Sequence, residues 1–127
     1  MDLVQWLWSL FGSTVRLYIY LPLEYNPDPE HPDPPRRPIP AALRDLVIAE
    51  LEEYFGERFG GLTSELVIKR HVTGQWRGYE DTNRVFYMDL KLTLKDLRWL
   101  RTMRDTVWRQ RFEQEAIYVV YHRIKAP

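Results

Sequence analysis

The chain of 127 residues contains no cysteine. Disulfides, thiolate nucleophiles and cysteine-held zinc or iron–sulfur centres are therefore excluded. Neither sign of charge is in excess, with 18 Lys and Arg against 18 Asp and Glu. A dedicated duplex-DNA binder draws most of its affinity from surplus positive charge, so that class is disfavoured. No run approaches the roughly 18–20 apolar residues that cross a bilayer. The apolar N-terminus has neither the basic flank nor the small-residue cleavage site of a signal peptide, which makes the cytoplasm the expected compartment. A glycine-rich phosphate loop, Gly-x-Ser-x-Gly and His-Glu-x-x-His are all missing. No cofactor and no metal are expected.

What is present describes one globular domain over 1–127, with 45% hydrophobic, 14% aromatic and 28% charged residues. The charge is unevenly placed. Residues 1–63 carry 5 basic and 10 acidic side chains, and residues 64–127 carry 13 basic and 8 acidic. Such a split attracts the halves of two subunits to each other, or an acidic partner to the second half.

Residues 1–12 read as a helix that is apolar except for Asp2, Gln5 and Ser9. A segment so apolar needs a surface to dock on, its own domain or a protein partner for residues 3–11. No Lys or Arg precedes Arg16, so attraction to anionic lipid is lacking and a membrane is not expected. Thr14–Leu23 alternates cleanly, Val15, Leu17, Ile19 and Leu21 against Arg16, Tyr18 and Tyr20, which predicts a strand. Residues 26–40 hold seven of the nine prolines and predict an extended loop. A polyproline segment splays its side chains, so Asp28, Glu30, His31 and Asp33 do not form a metal site. An amphipathic helix follows over Ala41–Phe59, with Leu43, Leu46, Val47, Leu51, Tyr54 and Phe55 inward and Glu50, Glu52, Glu53 and Glu57 outward. Strands are predicted over Glu65–Thr73, Asn83–Leu92 and Gln114–Lys125. A helix over Leu94–Phe112 is capped by Thr93, with Leu97, Leu100, Met103 and Val107 inward.

Strand, helix, strand, strand, helix, strand is the order of a ferredoxin-like βαββαβ sandwich of the α+β class, a four-stranded antiparallel sheet with two helices on one face. The first and third strands are then central. The face without helices would carry Arg16, Tyr18, Tyr20, Lys69, His71, Tyr87, Asp89, Tyr118 and His122. His71 and His122 fall on opposite edges, three strand spacings or roughly 14 Å apart, too far to share a metal within one subunit.

Several stretches resemble a family of small uncharacterised bacterial proteins, DUF3574. They are Gly61-Leu62-Thr63, Gly74-Gln75-Trp76-Arg77-Gly78, Glu80, and Arg111-Phe112-Glu113-Gln114-Glu115-Ala116, within residues 54–121. The resemblance supports the fold and implies no activity. By their chemistry, Trp76 can fold over the sheet as a lid, while Arg77 and Arg84 offer paired donors to a carboxylate or phosphate.

The expected function is binding, by a homo-oligomer, most simply a dimer. The ligand would be a small anionic or aromatic molecule, or a protein partner, held by Arg16, Tyr18, Tyr20, Trp76, Arg77, Tyr87 and Tyr118. An alternative is a cofactor-independent enzyme of the dimeric ferredoxin-like barrel type, with His71, His122 or Arg77 as catalytic candidates. Single-stranded nucleic acid stacked on Tyr18 and Tyr87 is a third reading. Asp89 beside those rings repels phosphate and counts against it.

Overall fold

The computed structural model describes residues 14–27, 30, 36–71 and 79–124, with 69–71 and 79–80 as backbone alone. The expected helix over 1–12 lies outside them, as do His31, Trp76 and Arg77. The elements run β1 (Val15–Pro22), α1 (Ala41–Phe55), a 3-10 turn (Gly56–Arg58), β2 (Thr63–His71), β3 (Tyr79–Leu90), α2 (Leu94–Thr102) and β4 (Tyr118–Arg123). α2 continues without a break through a π-helical stretch, Met103–Trp108, and a last α-turn, Arg109–Arg111.

The four strands form one open antiparallel sheet in the order β2-β3-β1-β4, so β1 and β3 are central and β2 and β4 are edges. The alternation in β1 explains its place. Val15, Leu17, Ile19 and Leu21 are all buried, and each such side chain contributes about 1.5–3 kcal/mol of transfer free energy. Register sets Leu90, Met88 and Phe86 of β3 beside Val15, Leu17 and Ile19, giving one continuous apolar face. Val47, Leu51 and Phe55 of α1 and Leu100, Trp108 and Phe112 of the second helix pack in the same core. Both helices therefore cover one face of the sheet.

Several boundaries differ from the sequence reading. α1 stops at Phe55 rather than Phe59, because Gly56 takes a φ of 54° and donates its N–H to the Glu52 carbonyl. β3 begins four residues before the expected Asn83, which brings Asp81 into the sheet. Leu46, expected inside, is half exposed, whereas Glu50, expected outside, is half-buried between the helices. Glu50 accepts from Trp108 Nε1 at 3.3 Å and from Arg111 Nη2 at 3.0 Å, tying the two helices together. The described part of the proline-rich loop returns beside the end of β1. Tyr25 N–H donates to the Arg37 carbonyl, Ile39 N–H donates to the Leu23 carbonyl, and the Arg37 guanidinium lies 4.5 Å from the Tyr25 ring centroid.

Candidate functional site

The face that no described helix covers is organised by the register of β1. Going from one end to the other, Arg16 sits between Asp89 and His122, Tyr18 between Tyr87 and Val120, and Tyr20 between Val85 and Tyr118. Pro22 completes the row beside Asn83. The sequence expectation that Tyr118 and His122 lie on this side agrees with that pairing. His71 pairs with Tyr79 at the far end of β2, and β2 and β4 are the two edges.

The face divides into two parts of different character. At the Arg16 end, the guanidinium is held by Asp89 through a two-pronged contact at 2.8 and 3.1 Å. Those hydrogen bonds raise the Arg16 pKa above its ordinary value and lower that of Asp89. Arg16 also lies 5.2 Å from the Tyr87 ring centroid, and Tyr18 meets both Tyr87 and His122 at 5.7 Å. This is a neutralised, self-satisfied cluster of rings. An incoming anion would have to compete with Asp89 for Arg16.

At the other end lies a cavity of about 330 Å³. Tyr20, Pro22, Val67, Tyr118 and Val120 form its apolar walls, and Asp81, Asn83 and Gln114 bring polar groups to it. That size and mixture suit a small molecule rather than a polymer. Asp81 is neutralised by Arg36 at 2.9 Å, and Arg36 Nε donates to the Tyr25 carbonyl, so the proline-rich loop buttresses the cavity. Val85, on this face beside Tyr20, is only 1% exposed, so the middle of the face is dry.

Gln114 reaches the cavity because of how the second helix ends. Glu113 adopts a left-handed backbone with φ of 52°. The Gln114 N–H then donates back to the Arg109 carbonyl at 3.0 Å, and the Glu113 N–H to the Gln110 carbonyl at 3.1 Å. This is the double hydrogen bond of a Schellman stop. The Gln114 amide nitrogen donates to the Phe112 carbonyl at 3.0 Å, which fixes the side chain and leaves its amide oxygen as an acceptor.

Of the ligand-binding candidates, Tyr20 and Tyr118 line the cavity; Arg16, Tyr18 and Tyr87 share the face but belong to the ring cluster. His122 joins that cluster and is exposed. Trp76 and Arg77 lie outside the described residues, and His71 is described by its backbone only. Among the described residues no three His, Asp or Glu side chains converge as a metal site would require, and no helix is long and apolar enough to cross a membrane. No protein-family model matches the chain, and neither a curated protein nor a solved structure matches it.

Sequence reasoning missed Asn83, Asp81, Val67 and Val120 as lining residues. Val120 had a usable signal, since its alternation with Val119 and Tyr121 decides its face once Tyr118 is placed. Asp81 carried none, because it precedes the strand that the sequence predicts from Asn83.

Proposed function

We propose that this chain is a cytoplasmic, ferredoxin-like βαββαβ domain that works without catalysis, holding a small uncharged aromatic molecule in the cavity at the Pro22 end of the open face. The cavity itself carries the reading. Its walls are two tyrosines and apolar side chains, its rim offers the Asn83 and Gln114 amides, and its volume is about 330 Å³. A planar ring between such walls gains apolar burial, while a polar substituent finds the amides. Among the described lining residues the only charged side chain is the acid Asp81, which favours an uncharged ligand over an anionic one. The likeness to DUF3574 belongs to the same proposal, and among the described residues of its motif Gln114 and Ala116 reach the cavity.

The test is ligand-observed NMR with indole and benzamide as probes, on the unaltered protein and on Val120→Trp, which fills the cavity. Binding that weakens at least roughly tenfold in Val120→Trp and survives in Tyr18→Ala supports the reading, provided both variants melt cooperatively. If neither probe binds, or if filling the cavity leaves binding unchanged, the reading fails.

A further inference from the structure

Strand β2 is an edge whose central residues carry no charge, with Glu65 and Lys69 flanking them. It runs nine residues, Thr63–His71, pairs among the described residues with β3 alone, and keeps an unbroken register along its whole length. Edges are normally blunted by proline, a bulge or a central charge. The centre of β2 is instead Leu66-Val67-Ile68. Leu66 and Ile68 belong to the helix side of the sheet, in register with Arg84 and Thr82, yet they remain 50% and 59% exposed.

The strand is also complementary to itself. When two copies pair antiparallel about a two-fold axis normal to the sheet, opposite residues must share a face, so the axis passes beside one residue. Only an axis at Val67, the midpoint of Thr63–His71, uses all nine positions. That register sets Glu65 opposite Lys69 of the second copy, Leu66 opposite Ile68 of the second copy, and Val67 opposite itself. Opposite charges then meet twice, and four exposed apolar side chains meet on the helix side. Every other residue-centred axis sets Glu65 against a residue other than Lys69.

We infer that two copies of this chain join along β2, with Val67 at the two-fold axis, into one eight-stranded antiparallel sheet. Both helix layers then lie on the same side. Val67 also lines the cavity, so the cavities of the two copies flank the axis on the shared open face. This inference stands independently of what the cavity binds.

Sedimentation equilibrium of the full chain tests it, with four variants. The unaltered protein is expected to be a dimer at micromolar concentration. Glu65→Lys introduces two like-charge pairs and should weaken association roughly tenfold or more. Ile68→Lys should do the same, and both should keep the unaltered circular dichroism spectrum. The charge exchange Glu65→Lys with Lys69→Glu should restore the dimer, a rescue specific to this register. Tyr121→Lys, on the opposite edge, should leave it intact. A monomeric unaltered protein, a dimer insensitive to Glu65→Lys and Ile68→Lys, a failed rescue, or a dimer broken by Tyr121→Lys would each overturn the inference.

Discussion

Arg58, in the turn after α1, holds Asp96, in the first turn of α2, with both terminal nitrogens, at 2.6 and 3.0 Å. The same carboxylate accepts from the Tyr54 hydroxyl at 2.9 Å and from the Thr93 backbone N–H at 2.8 Å, while the Thr93 hydroxyl accepts the Asp96 N–H. At 2% exposure, Asp96 is the one fully buried charge in the described core. Burial alone would push its carboxyl up; the donors from Arg58, Thr93 and Tyr54 together outweigh that and hold it below the usual carboxylate range. The cluster consumes its own hydrogen-bonding capacity, so it serves the fold and not a ligand.

Asp96→Ala should therefore destabilise the protein by about 2–4 kcal/mol, since it removes a helix cap and strips Tyr54 and Arg58 of their acceptor. Urea denaturation followed by far-ultraviolet circular dichroism measures this. A loss below about 0.5 kcal/mol would show that the cluster is not a stabilising joint.

The same carboxylate sets a pH dependence. Its pKa is lower in the folded chain than in the unfolded one, so its contribution is fully present above the unfolded value, about 3.9. The contribution is lost as pH falls through the lower folded value. Stability should be flat with respect to this group at neutral pH and should fall below about pH 4. Thermal melts of the unaltered protein and of Asp96→Asn between pH 2.5 and 7 should converge at the acid end. Parallel curves would refute the assignment.

Trp108 is wholly buried, stands edge-on to Trp99 at 6.1 Å and donates its indole N–H to Glu50. Trp108→Ala should cost about 3–5 kcal/mol, whereas Trp108→Phe should lose less because the ring volume is largely kept. Equal losses in the two variants would mean that the hydrogen bond, not the packing, dominates.

Glu113 holds a left-handed backbone conformation that side chains with a Cβ disfavour. Glu113→Gly should raise stability by about 0.5–1 kcal/mol, the relieved strain exceeding the extra freedom of the unfolded glycine. The readout is the urea midpoint at unchanged slope. A lower midpoint would show that the Glu113 side chain contributes something its backbone geometry does not reveal.

Much of this sheet face was legible from period two alone. Arg16, Tyr18, Tyr20, Tyr87 and Asp89 all lie on the face where alternation put them, because a strand with one buried side leaves its other side no choice. Tyr118 and His122 lie there too, but β4 has no fully buried side and its alternation alone left both faces open. The second helix was less legible. Helical spacing from Leu100 points to Val107 as the next buried position, but the π-helical stretch Met103–Trp108 widens the turn and carries the buried phase to Trp108 and Phe112. No propensity marks such a stretch in advance. The cavity was the least legible part, since its walls come from all four strands and from the segment before β4. Gln114 opens the strand that the sequence predicts over Gln114–Lys125, but its reach depends on the backbone of Glu113, a glutamate where a glycine is the usual sign.

The central place of β1 bears on how the chain is born. Tyr18 lies between Tyr87 and Val120, so β1 finds its flanks only when β3 and β4, both later in the chain, have left the ribosome. Until then Leu17 and Ile19 have no sheet to join, and closing so long a loop must precede any reward from pairing. Nascent chains of this protein therefore emerge with the apolar row of β1 waiting. That interval is when the strand is open to wrong pairings.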